Sequence, residues 1–470
     1  MSNFNMDNQK QVVQKNRTER DSMGDMQVTA TAMYGASTAR AVENFPVSGL
    51  RFSREFIKAV AEIKMAAACV NADLGRVDRA KTELIYQAAR EVSQGDWDAE
   101  FVLDIFQTGS GTSTNMNANE VIAYRCAQIN ADEFIHPNDH VNQGQSSNDV
   151  IPTAIHLAAS DLLVHALIPA ARHLLDVLQE KAAATHDIIK IGRTHLMDAT
   201  PVTLGQEISG WARQIELGIQ RVESCLPRIT ELAQGGTAVG TGLNTHPEFG
   251  ARIATCLSES YGIHFKEAEN HFESQAAQDA AVELSGQLKT LAVSLMKIAN
   301  DVRLLNMGPR CGLGEITVPA VQPGSSIMPG KVNPVIAESM AQVCAHVMGN
   351  DAAISIGGST GLLELNVMLP MMAHNLLESE RLLASAMTMF ADKCIAGIEA
   401  NRERCAEQIE WSMSMVTSLA PVIGYDKASE IAKQAVNEGK TVRQVCEEAD
   451  LLPAEELDRL LDPASMLVPK

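Results

Sequence analysis

The feature that most constrains this chain is a heptad seam in its second half. Leu284, Leu288, Leu291, Leu295, Ile298, Val302 and Leu305 follow one another in alternating steps of four and three. At that spacing apolar side chains line one stripe of a helix and pack knobs-into-holes against another. Two further stretches carry long helical patterns. One runs from about Pro152 to Ala184. The other puts Ile208, Trp211, Ile215, Gly218, Val222, Cys225, Ile229 and Leu232 on one face, with a kink expected at Pro227. Helices of roughly thirty residues are about 45 Å long. That exceeds what a small domain needs, so a long bundle is expected, of a kind that commonly packs against other subunits.

Composition agrees with helices. Aromatic residues are only 4% against 46% hydrophobic, and alanine is abundant, which favours closely packed helices over a β-sandwich. The 470 residues are too many for one ordinary core, so two or three domains are expected. The net charge of −20 (38 basic against 58 acidic residues) argues against nucleic acid or an anionic membrane as partner. A small anion can still bind where a cationic pocket is built locally. The nine cysteines show no Cys-x-x-Cys pair and no zinc spacing. They read as reduced thiols in a cytoplasmic compartment. No apolar run of about eighteen residues is present, so no membrane span is expected. Residues 1–18 are polar, lack the apolar core of a secretion signal and are expected to be a disordered tail.

Chemistry concentrates in one loop, Gly324-Ser325-Ser326-Ile327-Met328-Pro329-Gly330-Lys331-Val332-Asn333-Pro334. Its glycines and prolines exclude regular structure. A serine there, beside a lysine and free backbone N–H groups, can become acidic enough to serve as a base. Ser110-Gly111-Thr112 precedes a helix expected over Met116 to Gln128, and Ser146-Ser147-Asn148 precedes the first long helix. Hydroxyls and N–H groups at a helix start either bind an anion or simply cap the helix. His195, within Gly192-Arg193-Thr194-His195, is set among turn residues and can move protons near neutral pH, or be a satisfied structural histidine. His136-Pro137-Asn138-Asp139 reads as a surface turn, with no third metal ligand spaced for it. Gly235 to Gly242 reads as a flexible turn without a phosphate role. Elsewhere the patterns place a hairpin within Val28 to Phe45. They place helices over Ser53 to Asn71, Asp78 to Ser93, Val335 to Gly349 and Leu362 to Phe390, and short amphipathic elements from Asn401 on.

The Gly324 to Pro334 loop resembles the signature of the fumarase/aspartase superfamily. Asp21-Ser22-Met23-Gly24, Ser110-Gly111-Thr112, Gln145-Ser146-Ser147-Asn148-Asp149, Gly192-Arg193-Thr194-His195, Asn401-Arg402-Glu403-Arg404 and Ile423-Gly424-Tyr425-Asp426-Lys427-Ala428 are similar to class II fumarase, the iron-independent fumarate hydratase. The resemblance covers nearly all of the chain after the tail. It implies a mainly α fold of three domains, 19–143, 144–363 and 364–470. The central domain would be a long five-helix bundle, and four chains would join their bundles into the twenty-helix core of a homotetramer. Each active site would be shared by three chains.

The implied activity is reversible hydration of fumarate to L-malate, a step of the tricarboxylic acid cycle, without metal or organic cofactor. The implied catalytic groups are Ser325 as carbon base, Lys331 at the carboxylate, and His195 acting on the oxygen side through a water with Glu338 behind it. Ser110, Gly111, Thr112, Ser146, Ser147, Asn148, Thr194, Ser326 and Asn333 would bind substrate. His136, Pro137, Asn138 and Asp139 would form a second, peripheral anion site. The alternative is aspartate ammonia-lyase, making fumarate and ammonia from L-aspartate; Val335-Ile336-Ala337 is more similar to that branch, and Tyr34 stands where many fumarases have tryptophan. A third reading is a catalytically silent assembly protein on the same scaffold.

Overall fold

A computed structural model describes residues 16–469. Residues 1–15 of the expected tail lie outside the described residues, whereas 16–18 belong to a strand. That strand, β1 (Asn16–Asp21), pairs antiparallel with β2 (Gly24–Thr29), Asp21 facing Gly24 across the turn. The hairpin expected within Val28 to Phe45 is thus displaced upstream, and α1 (Ala36–Asn44) occupies most of that stretch. The reason is a cap distant in sequence. The Glu120 carboxylate accepts from the N–H groups of Gly35 (2.9 Å), Ser37 (3.0 Å) and Thr38 (3.1 Å), satisfying the orphan donors of the helix start.

Next come α2 (Arg54–Asp73) and α3 (Arg79–Gln94), close to their expected limits. Asp78 caps α3 by accepting from Ala80 N at 2.8 Å, and Gly95, at φ 97°, ends it in the left-handed region. α4 (Thr112–Ile129) starts earlier than Met116, directly after Gly111 at φ 73°. α5 (Ser147–Leu162) opens on a capping box between Ser146 and Asp149, and a π turn, Leu163–Leu167, leads into α6 (Ile168–Ala184). The stretch Ser147–Ala184 is long and apolar enough on average to cross a membrane, but 78% of its most apolar window is buried inside the protein, as in a core helix.

β3 (Ile189–Thr194) and β4 (Met197–Thr203) form an antiparallel hairpin where only a turn was expected. α7 (Leu204–Glu223) ends before Pro227, which sits in the first turn of the short α8 (Leu226–Ile229); the proline breaks the helix instead of kinking it. α9 (Phe249–Tyr261) and α10 (His271–Ala276) precede α11 (Asp279–Leu305), whose seam residues are all buried, from 0% exposed at Leu284 to 4% at Leu305. α12 (Val335–Gly358) continues well beyond Gly349, and α13 (Leu369–Phe390) starts later than Leu362. Shorter helices, among them Arg402–Trp411, Tyr425–Glu438 and Val442–Glu448, finish the chain around Leu419, Ile431, Val445 and Leu457.

The chain divides into two compact units. Among the described residues, the first comprises 16–165, 224–286 and 349–380; the second comprises 166–223, 287–348 and 381–469. In the first, α2 packs on α3, α5 and α9, and Phe56, Val60, Ile63 and Ala67 of α2 are fully buried. In the second, α6 packs along α7, and Gly218 lets Leu291 approach so closely that a Cβ there would lie 2.8 Å from Leu291 Cδ1.

Candidate active site

The Ser325 loop belongs to the second unit and is held by its own backbone. Ser325 Oγ accepts from Met328 N at 3.0 Å and Ile327 N at 3.3 Å. Two N–H dipoles therefore point at the oxygen that would carry a negative charge, the arrangement that favours an alkoxide. The loop neck closes through Asn333, whose Nδ2 donates to Gly324 O at 2.6 Å while its Oδ1 accepts from Lys331 Nζ. Gly324 is required there: a Cβ would lie 2.1 Å from Lys331 O and 2.7 Å from Val332 Cα. Both ends of the Asn333 amide are thus engaged within the loop. Lys331 and Ser326 are exposed, and Ser325 is half-buried. The apolar Ile327 is 83% exposed, so this loop is presented outward.

His195 lies at the tip of the β3–β4 hairpin. His195 and Leu196 both take positive φ, 55° and 61°, between the paired Thr194 and Met197. That is the two-residue turn that matches strand twist, adopted here without glycine or asparagine. Leu196 in the left-handed region costs on the order of 1–2 kcal/mol. The geometry leaves Thr194 and His195 exposed at the tip. Beneath them the hairpin is anchored by buried charges. Arg193 Nη2 donates to Glu315 Oε1 (2.8 Å) and Gln408 Oε1 (2.6 Å), and Lys190 Nζ sits 3.1 Å from Glu315 Oε2 and 3.2 Å from Glu207 Oε2. Glu338 stands half-buried in the first turn of α12. Among the described residues, no side-chain hydrogen bond or ion pair joins His195 or Glu338 to the Ser325 loop.

The first unit brings the other predicted hydroxyls together. Thr112 Oγ1 lies 2.8 Å from Ser110 Oγ and 2.6 Å from Ser147 Oγ, so the starts of α4 and α5 meet at one hydroxyl cluster. Gly111 allows this contact, since a Cβ there would press on Ile151 at 2.8 Å. Ser146 Oγ caps α5 by accepting from Asn148 N at 3.2 Å, and Asn148 Nδ2 donates to Ala238 O at 2.8 Å. Behind the cluster sits Asp149, fully buried, accepting from Ser146 N (2.9 Å), Thr237 N (3.0 Å) and Gly235 N (3.2 Å). Gly235 to Thr237 is therefore a buried carboxylate-binding turn, which corrects its reading as flexible. Burial pushes the Asp149 carboxyl up to about 6, against those three donors. Burial likewise pushes the Lys64 ammonium down to about 7, with Asp149 opposing.

His136-Pro137-Asn138-Asp139 forms the start of a π turn, Pro137–Val141. His136 Nδ1 accepts from Asp139 N (3.1 Å) and Asn138 N (3.3 Å), so those two backbone donors are already used by the turn's own histidine. His136, Pro137 and Asn138 line a cavity of about 680 Å³ together with Thr112, Ser113, Arg20, Asp21 and Arg40. Asn138, Asp139 and Ser146 line another, of about 660 Å³, with Arg76 and Asn244. Among the described residues no group of three or more His, Cys, Asp or Glu side chains is placed to hold a metal ion.

Sequence reading missed Arg40, Lys64 and the anchoring role of Asp149. Arg40 holds Asp21 through Nε–Oδ2 and Nη2–Oδ1 bonds of 3.0 Å each, a fork visible only once β1 and α1 are placed. Lys64 carried a signal, being a lysine on the apolar stripe of α2. The Ser146–Asp149 spacing was itself the capping-box pattern.

A family model described as "Lyase" matches residues 24–349, and one described as "Fumarase C C-terminus" matches 415–468. The "Fumarate hydratase class II" of Halobacterium salinarum is 55% identical over 454 residues, covering 96% of this chain and 97% of the relative. That of Corynebacterium glutamicum is 53% identical over 459 residues, again 96% and 97%. The crystal structure of recombinant class II fumarase from Schistosoma mansoni superposes with a TM-score of 0.94 at 41% identity, covering 97% of this chain and all of that one (100%). The serine loop, the hydroxyl cluster and the histidine hairpin thus sit in a chain that belongs to the class II fumarate hydratase family.

Proposed function

We propose that this chain is a hydro-lyase that interconverts fumarate and L-malate at that step of the tricarboxylic acid cycle. The observation that carries this reading is the Ser325 oxygen, aimed at by two backbone N–H groups in a member of the class II family. In the malate direction, Ser325 as alkoxide takes the proton from the carbon next to a carboxylate. The electron pair moves onto that carboxylate, giving an aci-carboxylate. The neighbouring C–O bond then breaks, and the departing hydroxyl takes a proton relayed by His195 through water and leaves as water, with Glu338 orienting the histidine. Each group must therefore bind the aci form more strongly than the substrate. Lys331 supplies the cation at that carboxylate, with Asn333 and Ser326 shaping the loop around it. Ser110, Gly111, Thr112, Ser146, Ser147, Asn148 and Thr194 hydrogen-bond the second carboxylate and the water. No metal or organic cofactor enters these steps.

His136 to Asp139 serves as a peripheral anion site, with Arg20 and Arg40 in the same cavity as its cations. The active molecule is a homotetramer of three-domain chains, divided at 19–143, 144–363 and 364–470, whose five-helix bundles form a twenty-helix core. Each site draws on three chains. The buried seam of α11 supports the bundle within one chain, and the outward-facing Ser325 loop supports its completion by others. The ammonia-lyase alternative is not favoured, because the full-length relatives carry hydratase names. A spectrophotometric assay on L-malate and, separately, on L-aspartate tests the reading. Fumarate is expected from malate alone; fumarate and ammonia from aspartate alone would overturn it.

A further inference from the structure

Lys64 lies on the face of α2 that also carries Phe56, Val60, Ile63 and Ala67, and it is fully buried. An ammonium has three donors. Here each one meets a side-chain amide oxygen: Asn115 Oδ1 at 2.8 Å, Asn142 Oδ1 at 2.8 Å and Gln145 Oε1 at 3.0 Å. None of these partners is a carboxylate. Burying a cation in a cage of neutral amides is expensive, and a methionine would fill similar volume at lower cost. Packing alone therefore does not account for the lysine.

The three amides belong to the segments that carry the hydroxyl cluster. Asn115 is in the first turn of α4, behind Thr112, its N–H donating to Gly111 O at 3.1 Å. Asn142 and Gln145 belong to the turn that leads into Ser146, and they are cross-tied. Asn115 Nδ2 donates to Asn142 Oδ1 (3.1 Å), Asn142 Nδ2 to Gln145 O (3.1 Å) and Gln145 Nε2 to Val141 O (3.2 Å). We propose that Lys64 is a positioning residue for the carboxylate subsite. Its ammonium clamps the first turn of α4 to the 142–145 turn and so sets the spacing of Thr112 from Ser146, Ser147 and Asn148. The proposal rests on the reading that those hydroxyls hold substrate. Without the clamp, the hydrogen bonds left between these segments are the single Asn115–Asn142 amide bond and the Thr112–Ser147 hydroxyl contact, and a misplacement of about 1 Å can cost about 10²-fold in rate.

The test is a double-mutant cycle on kcat/KM for fumarate, in the intact enzyme, with Lys64→Met and Ser147→Ala. Lys64→Met alone should lower kcat/KM about 10- to 100-fold, mainly through KM. In the Ser147→Ala background it should cost less than about threefold, because the group it positions is already gone. Losses that multiply instead, or a lower kcat at unchanged KM with a lower melting temperature, would reduce Lys64 to a structural role. Asn115→Ala, which removes one amide and no charge, repeats the cycle if Lys64→Met does not fold. If Ser147→Ala and Thr112→Val both leave kcat/KM untouched, the hydroxyl reading itself fails and the proposal falls with it. If they lower it while Lys64→Met and Asn115→Ala do not, only the clamp is wrong.

Discussion

Ser325→Ala separates chemistry from stability. The substitution removes one oxygen and leaves two N–H groups, those of Ile327 and Met328, without their acceptor. A hydrogen bond contributes about 0.5–1.5 kcal/mol net. Both N–H groups lie in residues that are exposed, so water replaces the lost acceptor, and the stability cost should stay under about 1 kcal/mol. The catalytic cost is of another order. A positioned general base contributes about 10²–10⁴-fold, which corresponds to about 2.7–5.4 kcal/mol of transition-state free energy. Urea unfolding and malate-to-fumarate kinetics on the same preparation measure the two separately. The expected result is a midpoint close to the parent's with kcat lowered at least about 10²-fold. A variant that keeps near-normal kcat would remove Ser325 from the base role. One that loses activity and stability together would make the oxygen a structural acceptor.

Further outcomes follow from the packing. Gly324→Ala places a Cβ 2.1 Å from Lys331 O, so the loop neck must open; kcat should fall with the melting temperature nearly unchanged, and normal kinetics would show that the neck tolerates widening. Leu295→Ala, at a fully buried seam position, should cost about 2–5 kcal/mol in urea unfolding, and a loss below about 1 kcal/mol would mean the seam is not packed as described. Burial, with the charge of Glu55 adding to it, raises the Glu380 carboxyl well above its usual value of 4.5, and neither of its oxygens has a hydrogen-bond partner among the described residues. The folded state therefore keeps a proton that the unfolded chain releases, and stability falls as pH rises above 4.5, by up to about 1.4 kcal/mol per pH unit until the folded group itself ionises. Glu380→Gln abolishes this dependence, so its melting temperature relative to the parent should rise from pH 5 to pH 8; a difference independent of pH would contradict the assignment.

How much was legible in the sequence depended on how local the cause was. The seam from Leu284 to Leu305 is a one-helix pattern, and it was readable because burial on one face imposes it. The hydroxyl stretches were readable for a similar reason, since capping and anion binding both ask for small polar side chains at a helix start. Where the cause lies far along the chain, the reading failed. α1 could not be told from a hairpin because its cap is Glu120 on another helix. The turn at Gly235 looked mobile because Asp149, which orders it, is 86 residues away. The Ile191 to Pro201 hairpin was hidden by a turn without glycine or asparagine, the two residues that usually announce one. Lys64 shows the general limit. Its place on an apolar stripe is a local fact, but its meaning comes from three amides on two other segments.

In the proposed tetramer no single chain closes the hydratase site: the Ser325 loop of one chain would work on a substrate held by the hydroxyl cluster of another. Co-assembly of two inactive variants, Ser325→Ala and Thr112→Val, tests this most directly. If the two positions come from different chains, random mixing should leave about a quarter of the sites with both native residues, and hydratase activity should return to about a quarter of the parent's. Activity no greater than that of either variant alone, in a preparation shown to contain mixed oligomers, would place both residues in one chain's site and rule out a site shared between chains.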